Sequence, residues 1–197
     1  MTDVTMEEAK AVLRGVARQQ RAALRQDQRL EAAAAAAQHF FDGIVVPAEA
    51  VVAGYWPIRD EIDVRPVLVR LVDGGQTLVL PVTEDDKPLT MRVWEPGTAL
   101  YPSGFGTLAP IEGAPVLEPD LVITPLLGFD AQGTRLGYGM GHYDRTLAQM
   151  HKRPRLVGYA FAAQEIDHIP RDSHDIPLDA VVTEAGVRHF GARGDVQ

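Results

Sequence analysis

From residue 50 onward, short apolar runs alternate with segments of helical periodicity, and few folds accept that order. AVVAGYW at 50–56, TLVLPV at 77–82, LVGYAF at 156–161 and DAVVT at 179–183 are each too short for a buried helix and read as buried strands. DLVITPLLGFD at 120–130 begins as another and leaves the strand at Pro125. LTMRVWE at 89–95 alternates apolar with polar residues, as a partly exposed strand does. After the first run, Val64, Val67, Leu68 and Leu71 recur at helical steps, with Asp63 placed as N-cap and Gly74-Gly75 as the stop. A further helix is expected from about Gly141 to Met150. Strands separated by helices cannot pair as tight hairpins, so the order predicts an α/β domain around a mainly parallel sheet. Two helices should precede it. One covers 6–26, with Ala9, Leu13, Val16, Ala17 and Leu24 on one stripe. The other is capped by Asp27 and runs through the alanine tract 32–37, a small-residue packing face, to Gly43.

At 197 residues, 46% hydrophobic and 23% charged, the chain has the balance of an ordinary globular protein, and one domain over 1–197 is expected. The absence of cysteine excludes disulfides, thiolate nucleophiles, iron–sulfur clusters and cysteine-ligated zinc. A net charge of −8 makes general binding to nucleic acid or anionic membrane unfavourable, so any phosphate must meet a local basic patch. MTDVTMEEAK at the start is polar and carries no apolar core or cleavage site, and no apolar run approaches membrane-spanning length; a cytoplasmic protein is expected. The proline- and glycine-rich stretch 96–119 reads as a long functional loop, with a domain boundary as the alternative.

GTRLGYGMGHYDR at 133–145 is the segment richest in chemistry. Gly137, Gly139 and Gly141 alternate between a strand and a helix, an arrangement that crowds backbone N–H groups around an anion. The spacing matches neither a dinucleotide fingerprint nor a Walker A loop, and a plain tight loop is the alternative. Arg135 offers a planar fork to phosphate, and Asp144 in the first helical turn would tolerate phosphate only across a divalent cation. Its alternative is a helix-dipole partner or an ion pair with Arg145. In the first helix, Lys10, Arg14, Arg18, Arg21 and Arg25 share an arc of roughly 80°, either a phosphate-facing stripe or a solvated face. At the exit of the first strand, Trp56 supplies a flat face for a heterocycle and Glu61 an acceptor for an aminopyrimidine-like ring; the alternative makes Trp56 core and the neighbouring carboxylates caps. The histidines do not organise into a metal motif, and no serine-nucleophile elbow appears.

Taken together, Lys10-x-x-x-Arg14, Tyr55-Trp56-Pro57-x-Arg59-Asp60-Glu61-Ile62, Pro125-Leu126-Leu127-Gly128-Phe129-Asp130 and Gly133-x-Arg135-Leu136-Gly137-Tyr138-Gly139-x-Gly141-x-Tyr143-Asp144-Arg145 make a chain that resembles the 5-formyltetrahydrofolate cyclo-ligase family over nearly its whole length. The resemblance implies a three-layer α/β/α fold and ATP- and Mg²⁺-dependent closure of 5-formyltetrahydrofolate, polyglutamylated or not, by a cytoplasmic monomer without nucleic-acid or membrane partners. Carried over by position, Lys10, Arg14, Arg135, Leu136, Gly137, Tyr138, Gly139, Met140, Gly141, His142 and Tyr143 would hold ATP. Trp56, Glu61 and Tyr138 to His142 would touch the folate. Arg135, Tyr143 and Asp144 would act in catalysis, and Asp144 and Asp175 would bind the metal. Met140 stands where many members carry glycine or lysine, and His142 where Tyr or Phe is usual; both bear on rate. The rival readings are a non-catalytic folate or nucleotide sensor on this scaffold and a sugar-phosphate isomerase-like enzyme needing no ATP.

Overall fold

A computed structural model describes residues 5–191. The extreme N-terminal residues and 192–197, both included in the expected domain, lie outside the described residues. Helix α1 (Met6–Ala22) opens on a capping box. Thr5 Oγ1 accepts from the Glu8 amide while Glu8 Oε2 accepts from the Thr5 amide, which satisfies two orphan donors at once. The helix stops short of the expected 26. The Arg29 guanidinium donates to the carbonyls of Arg21, Ala22 and Leu24 and so caps its end. Helix α2 (Gln26–Gly43) therefore starts with Arg25 as N-cap, and Asp27 lies inside its first turn, paired with Arg25. A carboxylate is favourable anywhere in that turn, so charge alone does not mark the cap.

Strand β1 (Val51–Ala53) leads through a loop to α3 (Arg65–Asp73), then β2 (Thr77–Val82) and β3 (Thr90–Val93). Val64, not Asp63, is the N-cap of α3; Asp63 sits one residue earlier, accepts from the Arg65 amide and pairs with its guanidinium. The stretch 96–119 folds back on the sheet. It forms a hairpin of β4 (Tyr101–Pro102) and β5 (Leu108–Ala109), and Gly104 N donates to Thr83 O at the end of β2. Next come β6 (Leu121–Thr124), a hairpin of β7 (Gly128–Phe129) and β8 (Arg135–Leu136), helix α4 (His142–Gln149), and β9 (Arg155–Tyr159), β10 (Ala180–Thr183) and β11 (Gly186–His189).

The main sheet has seven strands in the order β11-β10-β9-β6-β1-β2-β3. The inner pairings are all parallel, and β3 and β11 close the edges antiparallel. Successive residues of each inner strand face opposite layers. Val52, Leu78, Leu80, Leu121, Ile123, Val157 and Val182 pack against Ala32, Ala36 and Phe40 of α2 and Leu68 and Leu71 of α3. Ala53, Val79, Val122, Leu156 and Val181 pack on the other side with Leu147 of α4 and Phe129 of the β7–β8 hairpin. Three layers result, as expected. Helix α1 stands apart from the main faces, with Ala17 against Leu127, Leu136 and Ile169 beside that hairpin. Among the described residues no helix is long and apolar enough to cross a membrane.

From β1 the chain moves outward to β2 and later returns as β6 on the other side of β1. That reversal opens a crevice beyond the C-terminal ends of β1 and β6, where open α/β sheets hold ligands. Phe40 is fully buried at the heart of the α2 face. Phe40→Ala should cost about 3–5 kcal/mol, read as a lower urea midpoint with an unchanged slope. A loss under about 1 kcal/mol would mean that this face carries little of the fold.

Candidate active site

The crevice is a cleft of about 300 Å³. Tyr55 and Trp56 follow β1, Pro81 and Thr83 end β2, Pro125 follows β6, and the segment from Arg135 to Asp144 closes the floor. Phe105 of the 96–119 loop reaches in from above, with its ring 5.3 Å from that of His142.

One part of the lining is a carboxylate. The loop after β1 turns back on itself because the buried Tyr55 hydroxyl donates to Ile62 O at 2.8 Å. That turn carries Glu61 to the cleft wall, where Oε2 accepts from Ile58 N at 2.9 Å and Oε1 accepts from the Tyr138 hydroxyl at 2.5 Å. Burial pushes the Glu61 carboxyl above its ordinary pKa, against the pull of those two hydrogen bonds. Burial and the Glu61 charge together push the Tyr138 phenol far up, so it stays protonated and donates. Beside Glu61, the half-buried indole of Trp56 leans edge-on against Trp94, centroids 5.6 Å apart, and Arg65 lies 5.6 Å from its ring centre.

A fork and a helix start also line the cleft. Gly141 is the N-cap of α4 in the left-handed region, at φ 63°, and no side chain caps the helix; its first amides are left to other acceptors. Gly139 also has positive φ, and a Cβ there would lie 3.2 Å from the Arg14 guanidinium carbon. Arg14 Nε donates to Gly137 O at 3.1 Å, which docks α1 on the glycine segment. The Arg135 side chain is only 7% exposed and pairs with Asp144 Oδ1 at 2.6 Å; the same oxygen accepts from Ile176 N. Arg135 also donates to Ile176 O. Next to Ile176, Asp175 pairs with Lys10 at 2.5 Å.

The cleft thus gathers Trp56, Glu61, Arg135, Gly137, Tyr138, Met140, Gly141, His142, Tyr143 and Asp144 of the expected site residues. Lys10, Arg14, Gly139 and Asp175 are not among its lining residues and are held in the contacts above. Leu136 turns its side chain into the α1 packing cluster, which leaves its main chain alone for any ligand. Asp144 pairs with Arg135 rather than Arg145, whose guanidinium donates to Met140 O. The basic stripe is largely not a solvated face: its members bond back to the body of the protein, except Arg18, which lines the cleft, and Arg25, which belongs to α2.

Arg21 is the residue that sequence reasoning passed over. It is 2% exposed and pairs with Asp60 at 2.6 Å. It shared its helical arc with exposed arginines, and nothing local separates it from them. Among the described residues no group of three or more His, Asp or Glu gathers as a ready-made metal cage.

The chain matches the model of the 5-formyltetrahydrofolate cyclo-ligase family over residues 6–184. It is 33% identical over 177 residues to the 5-formyltetrahydrofolate cyclo-ligase of Escherichia coli (strain K12), spanning 86% of this chain and 97% of that one. Its identity to the enzyme of the same name from Mus musculus is 26%, over 93% of this chain and 98% of the relative. The fold is similar to the NMR structure of Aquifex aeolicus 5,10-methenyltetrahydrofolate synthetase, with a TM-score of 0.81, 28% identity and coverage of 95% and 96% of the two chains.

The raised Glu61 pKa has a consequence for stability. Because folding favours the protonated acid, the associated stability is present at low pH and is lost as pH rises through the folded pKa. Glu61→Gln keeps an acceptor oxygen but does not ionise. Urea melts of both proteins between about pH 4 and 8 should show the variant gaining on the wild type as pH rises through the carboxyl range. A gap that widens toward acid would reverse the assigned sign.

Proposed function

This chain belongs to the 5-formyltetrahydrofolate cyclo-ligase family, and on that premise we propose how its cleft closes 5-formyltetrahydrofolate to 5,10-methenyltetrahydrofolate at the expense of ATP, releasing ADP and phosphate. One observation carries the reading. A single crevice is lined by an aromatic face and a carboxylate, and also by an arginine fork, a helix start without a side-chain cap and an aspartate. The first set suits a flat ring bearing N–H donors, the second a polyphosphate.

The chemistry needs both sets of groups in one cavity. The formyl oxygen is a poor leaving group, so N10 cannot expel it directly. Transfer of the γ-phosphoryl group to that oxygen forms the O–P bond and breaks the bond to the β-phosphate, releasing ADP. N10 then attacks the activated carbon and gives up its proton. The C–O bond breaks, and the former formyl oxygen leaves in inorganic phosphate. No covalent protein intermediate is required; the protein's tasks are alignment and charge neutralisation. Trp56 and Glu61 orient the folate ring. Arg135 and the α4 amides draw the phosphates, and Lys10 and Arg14 are the further cations assigned to them.

The residues fit a magnesium ion. Asp144 and Asp175 are hard oxygen donors, and Mg²⁺ typically takes one or two carboxylates together with substrate phosphates rather than a full protein cage. Both hydrogen bonds that Asp144 accepts fall on Oδ1, and Oδ2 is its other donor for the ion. When bound, the ion would offset charge between the phosphates.

Mixing the protein with 5-formyltetrahydrofolate and Mg-ATP should produce the methenyl chromophore and ADP in equal amounts. Folate binding without turnover would favour the sensor reading instead. Asp144→Asn should cut turnover at least about a hundredfold in protein that still folds cooperatively, with a lowered melting point because Arg135 loses its charge partner; the isostere keeps hydrogen bonds but not the charge that attracts Mg²⁺. Activity near wild type across a magnesium titration would remove Asp144 from this role. Lys10→Ala should raise the ATP KM about tenfold with little change for folate, the value of one charge-assisted hydrogen bond. A fall in folate affinity alone would show that the α1 stripe serves the other ligand.

A further inference from the structure

One chain of contacts in the cleft wall is not accounted for by the roles above. Arg21 donates from one guanidinium nitrogen to the Tyr138 oxygen at 2.9 Å and to Leu126 O at 3.4 Å, and from the other to Asp60 Oδ1 at 2.6 Å. Tyr138 passes its proton-bearing hydroxyl on to Glu61 Oε1. The order of donors is forced. A guanidinium has no acceptor, so the Tyr138 oxygen can only accept from Arg21, and its single proton is thereby aimed at Glu61. Each link polarises the next, which makes the phenol a stronger donor than it would be alone.

A purely stabilising role accounts poorly for this arrangement. The Arg21 Nε is buried without a partner, and a buried ion pair is often no better for stability than apolar packing. The pair also joins three separate segments: Arg21 comes from α1, Asp60 and Glu61 from the loop after β1, and Tyr138 from the turn between β8 and α4. Each oxygen of Glu61 already carries one protein donor, Tyr138 on Oε1 and Ile58 N on Oε2. Each therefore keeps capacity for one more, side by side, which matches two neighbouring N–H groups on an aminopyrimidine edge.

We propose that Arg21 and Tyr138 are positioning residues that act through Glu61, fixing the orientation and charge of its carboxylate so that both oxygens receive the paired N–H donors of the folate ring. The proposal rests on the folate reading of the cleft. The groups facing Glu61 are Arg21 from α1, Asp60 from its own loop, Tyr138 from the glycine segment, Tyr143 from α4 and Tyr55 at the end of β1. Arg21 is the cation whose charge acts on Glu61, while Arg18, Arg59 and Arg135 line the same cleft. Burial pushes Glu61 toward the protonated form, which offers a donor where the ring needs an acceptor, and the Tyr138 and Arg21 contacts oppose that push.

Two variants separate this role from simple packing. Tyr138→Phe keeps the ring and deletes the proton aimed at Glu61. Arg21→Lys keeps the charge but loses the planar fork that reaches the phenol from one nitrogen and Asp60 from the other. Titration of 5-formyltetrahydrofolate by calorimetry without ATP, from about pH 5 to 8, should show Tyr138→Phe binding at least about tenfold more weakly at neutral pH, with the acid limb of the profile moved to higher pH. Arg21→Lys should move the same limb by less, and its KM for ATP should hold. Independently of any ligand, the carboxyl-carbon NMR signal of Glu61 should titrate at higher pH in Tyr138→Phe than in the wild type. A pH-independent loss of affinity, an equal loss for ATP in Arg21→Lys or an unmoved Glu61 titration would overturn the proposal. If the wild type itself binds no 5-formyltetrahydrofolate, the folate reading fails, and the ligand-free titration still decides whether Tyr138 and Arg21 set the state of Glu61.

Discussion

Parallel pairing of β1 with both β2 and β6 is the constraint on which the rest of the structure depends. Parallel neighbours cannot be joined by a tight turn, so each connection must climb out and return across a face. The C-terminal ends of these strands are consequently free to release long loops rather than hairpins. Because β2 and β6 leave β1 in opposite directions, their loops part above it. Trp56, Thr83 and Pro125 all line that gap, though they are far apart in sequence. The sheet needs apolar cover on both faces to exist at all, and α2, α3 and α4 supply it, α4 also bringing its first turn to the gap.

A second consequence follows for charge. The chain carries a net charge of −8, yet the segment around the glycine turn is crossed by guanidinium groups. They are not spread as a solvated field. Arg14 holds Gly137 O, Arg21 holds Asp60 and Tyr138, Arg135 holds Asp144, and Lys10 holds Asp175. Helix α1 contributes only modest apolar contact to the body of the protein, through Ala17 and Leu13. Directional bonds from its basic stripe therefore set where the helix lies, and with it the back wall of the site.

What the sequence made legible follows from how local each signal is. Apolar runs located every inner strand, because a strand buried on both faces needs such a run. Their lengths were overread: AVVAGYW supplies only Val51–Ala53 to the sheet, since the Tyr55 hydroxyl draws the chain into a turn with Ile62. The edge strand Gly186–His189 and the β7–β8 hairpin escaped notice, because a short half-polar strand pairs by main-chain bonds that leave little side-chain signature. Asp27 and Asp63 were both misassigned as caps by a residue or two, for the reason that a carboxylate profits from the helix dipole across the whole first turn. The glycine segment, Trp56 and Glu61 were recognisable because they cluster within motifs. Arg21 was not, since its meaning lies in Asp60 and Tyr138, which only the fold brings to it.

The charge pairs assigned to phosphate and metal have a further logic. Two cations assigned to phosphate, Lys10 and Arg135, are each bonded to one of the two carboxylates assigned to the metal, Asp175 and Asp144. Ile176, adjacent to Asp175, donates to Asp144 and ties the pairs into one unit. Such a unit is close to neutral, so Arg135 and Asp144 can line the cleft without the repulsion that bare cations or bare carboxylates would suffer. On the proposed reading, a metal–polyphosphate complex brings a cation for the carboxylates and anions for the guanidinium and ammonium groups. Binding then exchanges partners between opposite charges instead of exposing them, and the desolvation cost of each group is already met in the folded protein. Neither member of a pair can be neutralised alone without leaving its former partner uncompensated. Asp144→Asn should for that reason strip charge balance from Arg135 as well as from the metal, whereas removing both charges of a pair together should disturb the fold less than removing one.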